Sequence, residues 1–162
     1  MRKTRLWLGL AGIIIVLDQI SKWVALDALR MGETRYVAPF WNWALTFNPG
    51  AAFSFLSNAG GWQRWFFTVF SLIVSAWIAV LLRRHGNEHR LALALTLVLG
   101  GALGNVIDRI RFGAVVDFIQ WHAAGYYWPA FNLADSAITL GAVLLIWDQL
   151  FGKPAGDGEV KS

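Results

Sequence analysis

Four stretches of this chain stay apolar long enough to cross the roughly 30 Å hydrocarbon core of a bilayer, which takes about 20 helical residues. Trp65 to Leu82 and Leu91 to Ile107 carry no charge. A third runs from Leu6 to about Leu26 and includes Asp18 and Lys22. The fourth runs from about Asn132 to Phe151, with Asp135 near its start and Asp148 near its end. These runs predict four transmembrane helices. The first opens on Arg2, Lys3 and Arg5, as a cleaved signal peptide would. No small-x-small cleavage site follows it, and Asp18 and Lys22 extend the helix, so it is expected to remain as a span.

Between the first and second runs the period changes. In Trp41-Asn42-Trp43-Ala44-Leu45-Thr46-Phe47-Asn48, large apolar residues alternate with small or polar ones, which is a strand period. A second strand pair is expected from Phe118 to His122 and from Tyr126 to Ala130, turning through Ala123-Ala124-Gly125. Asn48-Pro49-Gly50 reads as a turn. A small sheet at the membrane surface, or an interfacial aromatic belt, would account for many of the ten Trp.

Charge adds direction. Residues 1–5, 83–90 and 152–162 hold eight Lys/Arg, whereas the longer connectors 27–64 and 108–133 hold five. By the positive-inside rule both termini are expected in the cytoplasm and both long connectors outside. Residues 1–151 then form a single membrane domain. The tail, 152–162, with Gly152, Pro154, Gly156 and Gly158, is expected to be disordered.

Composition narrows the class. The chain of 162 residues is 57% hydrophobic and 15% charged, against roughly 45–50% and about 25% for soluble domains. That excludes a disordered chain, a coiled coil and an ordinary soluble enzyme. A scattered net charge of +4 gives no reason to expect a nucleic-acid partner. Without cysteine there is no disulfide, thiolate zinc site or cysteine nucleophile.

Ionisable groups within spans are expensive and each needs a reason. Asp18 and Lys22 are four apart on one helix face, so mutual neutralisation is the simplest account. Asp117, among Val115, Val116, Phe118 and Ile119, sits badly in an apolar run. Asn132 reads as an N-cap with Asp135 at the third helical position; capping and catalysis are compatible there. Two carboxylates near one membrane face are a pair worth noting, because close carboxylates share a proton and then supply one base and one acid. Gly100, Gly101 and Gly104 predict close helix packing. Asn105, Asp108 and Arg109 follow within about a turn; they either line a polar pocket or pair with each other. Asn48 is part of a turn and also a candidate ligand-binding residue. His85-Gly86-Asn87-Glu88-His89 fits the H-x-x-E-H zinc pattern. Gly86 and Asn87 interrupt the helix that chemistry needs, and no third ligand is apparent, so no metal or other cofactor is expected.

In order along the chain, Asp18-Gln19-x-x-Lys22, NPGAAFS (48–54), GGALGNVIDR (100–109), VVDFI (115–119) and FNLADS (131–136) closely resemble the bacterial lipoprotein signal peptidases, signal peptidase II. The resemblance covers nearly the whole chain apart from the basic start and polar tail. Pro49, between Asn48 and Gly50, departs from the family pattern. The resemblance implies a metal-free aspartyl endopeptidase of the bacterial inner membrane. Such an enzyme cuts prolipoproteins just before a diacylglyceryl-modified cysteine, at the extracytoplasmic face. The catalytic aspartates would be Asp117 and Asp135. Asn48, Asn105, Arg109 and Asn132 would line the site, while Asp18, Lys22, Gly101, Gly104 and Asp108 would support it. The implied fold is a four-helix membrane bundle with a small outer β-sheet and a short outer-surface helix. The expected partners are the lipidated substrate and membrane lipid, with the chain itself a monomer. A small transporter or proton relay using the same aspartates is the rival reading, but it would place them deep within spans. A non-enzymatic assembly protein would leave the paired aspartates unexplained.

Overall fold

The computed structural model describes residues 2–50 and 61–151. Four long helices form a bundle: α1 (Arg2–Ala28), α2 (Gln63–His85), α3 (His89–Phe112) and α4 (Leu133–Phe151). Each is long and apolar enough to cross a membrane. Four strands make one antiparallel sheet in the order β1 (Thr34–Ala38), β2 (Trp41–Asn48), β3 (Val115–Ala123), β4 (Tyr126–Tyr127). The fold is therefore a membrane helical bundle with a small sheet. Among the described residues there is no further short helix, and 51–60 and the tail 152–162 lie outside them.

In lipid, apolar side chains gain little by hiding from their surroundings, so helices associate through close packing and internal polar contacts. The bundle follows that logic. Ile13, Leu17, Ile20 and Trp23 of α1 are exposed, as are Phe66, Val69, Phe70, Ile73 and Trp77 of α2 and Val143, Ile146 and Leu150 of α4. Helix α3 is packed by all three others and carries buried residues from Ala92 to Arg109. Small residues bring the backbones together. A Cβ on Gly101 would strike Ala134 O of α4, and one on Gly104 would lie 2.6 Å from Asp18 Oδ2 of α1.

The two ends of the bundle differ. At one end, α2 turns into α3 through Gly86, Asn87 and Glu88. There Trp7 Nε1 donates to Gly86 O at 2.9 Å. At the other end, α1 runs into β1, α3 into β3, and α4 begins. Gly113 lets α3 stop abruptly: its φ of +79° belongs to the left-handed region, and its N–H returns to Arg109 O.

Several expectations need adjustment. The connector expected at 83–90 shrinks to 86–88, because Arg83, Arg84 and His85 complete the last turn of α2, where positive charge suits the helix dipole. His85 and His89 consequently sit on different helices. Helix α3 continues past Ile107 to Phe112, so Asp108 and Arg109 are helical. The strand expected at 126–130 is reduced to Tyr126 and Tyr127, with one further backbone bond from the Trp128 N–H to Trp121 O at 2.8 Å. Pro129 has no N–H to offer the ladder, and pairing resumes one residue out of register at Ile119 with Phe131. Strand β1 was not anticipated.

Candidate active site

Strand β3 and the first turn of α4 bring Asp117 and Asp135 into one polar site. Backbone pairing sets Asp117 opposite Thr46 and Val115 opposite Asn48. Phe131 both donates to and accepts from Ile119 at 2.9 Å, pinning the start of α4 beside β3. The next residue, Asn132, is fully buried and caps α4: its Oδ1 accepts the Asp135 N–H at 2.8 Å. Its Nδ2 donates to Asp117 Oδ1 at 2.7 Å and to Val116 O at 3.2 Å. One amide thus engages both aspartates.

The remaining amides have fixed orientations. Asn48 Oδ1 accepts the Gly50 N–H at 3.0 Å, so its Nδ2 donates to Asp117 Oδ2 at 3.2 Å. Asn105 Oδ1 accepts from Lys22 Nζ at 2.9 Å, so its Nδ2 donates to Asp135 Oδ1 at 2.8 Å. Asp117, 1% exposed, is more deeply buried than Asp135. Burial above all, and then the nearby charge of Asp135, push the Asp117 carboxyl up to about 7 despite the donors from Asn48 and Asn132.

Asp135 opens onto a cavity of about 460 Å³ that also meets Asn48. Its other walls are chiefly apolar: Trp121, Trp128, Pro129 and Phe131 on one side, Thr139, Leu140 and Val143 of α4 on the other. Leu140 and Val143 are themselves exposed on the helix surface, so the cavity is continuous with the lipid-facing side of α4.

Behind the site lies the Asp18–Lys22 pair expected from the first span. Lys22 Nζ lies 2.8 Å from Asp18 Oδ2 and also 2.7 Å from Asp108 Oδ2. Simple mutual neutralisation of two residues therefore understates it; a third charge from α3 joins them. Asp108 does not pair with Arg109. Arg109 instead donates through Nη2 to Gly50 O at 3.1 Å and lies 5.5 Å from the Phe67 ring centre. Gln19, quoted above only as part of a motif, donates to Asp108 Oδ1, Asp18 Oδ2 and Gly104 O. Its signal in the sequence was a polar residue beside Asp18 in an apolar run. The groove walls gave no such signal, since they come from two separate segments whose aromatic residues also suit a membrane interface.

Comparison with known proteins agrees with this picture. Residues 10–151 match the family described as signal peptidase (SPase) II. The lipoprotein signal peptidase of Polynucleobacter necessarius is 56% identical, over 92% of this chain and 93% of that one. That of Paraburkholderia phymatum is 51% identical, over 89% and 87%. A bacterial membrane enzyme solved by the in meso method at 2.3 Å superposes with a TM-score of 0.82 at 31% identity, covering 96% of this chain and 94% of that one. Identity at this level over nearly the whole chain, with the family match to residues 10–151, shows that the chain belongs to the signal peptidase II family of membrane-embedded aspartic-type hydrolases.

Proposed function

We propose that Asp117 and Asp135 form the catalytic dyad, and that the enzyme hydrolyses the peptide bond on the N-terminal side of a diacylglyceryl-modified cysteine in a prolipoprotein. The observation that carries this reading is the Asn132 amide bonded to both aspartates. Its Nδ2 bonds the Asp117 carboxyl and its Oδ1 the backbone N–H of Asp135, whose own carboxyl is held by Asn105, so both carboxyl groups share one largely dry site, where double ionisation is costly. With Asp117 near 7, one shared proton is expected at neutral pH, and it belongs to the pair.

The ionised member takes a proton from a water as that water attacks the scissile carbonyl. The protonated member donates to the carbonyl oxygen as negative charge develops, and a proton then passes to the leaving amine. Asn48 and Asn105 hold the carboxylates, and the Arg109 guanidinium adds positive charge beside the site. The cavity along Ser136, Thr139, Leu140 and Val143 gives an apolar part of the substrate a path from lipid to Asp135. Topology fits the same reading. The N-terminus of α1, with Lys3 and Arg5, lies at the end that also carries Arg83, Arg84 and Arg90, and the site lies at the other end. By the positive-inside rule the termini face the cytoplasm and the site faces out. The test is turnover of a lipidated precursor by purified Asp117→Asn and Asp135→Asn. Near-native cleavage by either folded variant removes that residue from the mechanism.

A further inference from the structure

Lys22 is buried and takes no part in the proposed chemistry, yet all three of its protons are directed. They go to Asp18 Oδ2, Asp108 Oδ2 and Asn105 Oδ1 at 2.8, 2.7 and 2.9 Å. Each of these partners leads to an aspartate of the site. Asp18 Oδ1 accepts the Ala134 N–H at 2.9 Å, one residue before Asp135. Asp108 Oδ2 accepts the Val116 N–H at 3.1 Å, one residue before Asp117. Asn105 passes its Nδ2 to Asp135 itself. The ammonium also decides which way Asn105 faces. An amide can rotate to exchange its donor and acceptor ends; Asn132 Nδ2 also donates to Asn105 Oδ1, at 3.3 Å, but the ammonium at 2.9 Å is the shorter, charge-assisted donor and has no acceptor capacity for a flipped amide.

We propose that Lys22 is a positioning residue for the reaction: it locks the Asn105 amide as a donor to Asp135 and anchors, through Asp18 and Asp108, the backbone ahead of both aspartates. The inference rests on the dyad reading above. It differs from charge neutralisation in what must be lost when the ammonium goes. Neutralisation needs only a balanced charge, whereas positioning needs the ammonium's contact with Asn105.

The deciding variant is Lys22→Met/Asp108→Asn. It removes one positive and one negative charge, so the net charge of the Asp18–Lys22–Asp108 set is unchanged, and Asn retains an acceptor for Val116 N–H. We expect a folded enzyme whose kcat falls about 10- to 100-fold, the scale of one charge-assisted hydrogen bond, with KM within about twofold of native. A native kcat in this variant overturns the proposal, because Asn105 then serves Asp135 without the ammonium. Asn105→Ala provides a check that leaves all three charges in place. The same fall in kcat is expected, with no further fall when it is combined with the Lys22 and Asp108 changes. Native kcat in Asn105→Ala overturns the proposal however the Lys22 variants fold. Asp117→Asn and Asp135→Asn, assayed alongside, separate the two readings. If they are inactive while Lys22→Met/Asp108→Asn turns over normally, the dyad stands and only the positioning role fails.

Discussion

The two ends of this bundle are held together by different physics. At the α2–α3 turn, Ala11, Ile78, Leu82, Ala92, Leu95 and Leu99 form an apolar cluster flanked by Trp7, Leu81 and Leu145. Shape is what matters there, and each contact is small and replaceable. At the sheet end the buried residues include Asp18, Lys22, Asn105, Asp108, Arg109, Asp117 and Asn132. Apart from Arg109, which bonds Gly50 O, those groups are bonded to one another, and loss of one partner strands another in a dry environment. The apolar end tolerates variation at a cost in stability. The polar end ties stability and the proposed chemistry to the same few atoms.

The largest expected effect tests the polar end directly. Asp117→Asn and Asp135→Asn should each lower kcat by about a thousandfold or more, with the double variant little worse than either, the outcome that the proposed dyad requires. A lipidated-precursor assay on folded protein measures it, and independent, multiplying losses would break the comparison at its centre.

Next in size is the pH response. Asp117 titrates near 7, above its ordinary value, so the last proton on the pair is lost as pH rises through that region. Removing that proton removes the acid. kcat/KM should therefore fall on the alkaline side of about pH 7, approaching tenfold per unit where a single proton is lost. It should fall again at lower pH, where the second aspartate takes a proton. A profile flat from about pH 6 to about pH 9 would contradict the shared proton.

Gly104→Ala should come third. Its added Cβ would lie 2.6 Å from Asp18 Oδ2, forcing the carboxylate off Lys22. Both melting temperature and turnover should drop, the latter by about tenfold for one disturbed charge-assisted contact. Gly12→Ala on α1 is the matched control, because its Cβ meets nothing within 4 Å; it should leave both unchanged.

At the apolar end, Leu82 is 0% exposed. Leu82→Ala should cost about 1–3 kcal/mol, mostly lost dispersion contact around a cavity. Turnover per folded molecule should stay native, as unfolding in detergent and a normalised assay would show. A kcat loss there as large as that of Gly104→Ala would mean that the two ends are not separable in function.

What the sequence determined by itself was whatever depends on length, period and local chemistry. Four apolar runs specify four helices because no other open structure satisfies the backbone in lipid. The alternation from Trp41 to Asn48 specifies β2, whose bounds are those residues. Asn132 as the cap of α4 was legible because capping spans only a few residues. The motif set pointed to the family, and with it to Asp117 and Asp135. Only the tertiary structure decided how these pieces meet. Spacing within α1 pairs Asp18 with Lys22, but nothing local places Asp108 on the same ammonium or directs the two carboxylates to Ala134 and Val116. Nor could Arg109 be assigned to Gly50 rather than to its neighbour Asp108. Strand β1 escaped for a related reason: it is an edge strand, mostly exposed, and is fixed by pairing with β2. A hydrogen bond between residues far apart in sequence is selected by what the whole bundle leaves unsatisfied, and that is a property no local pattern carries.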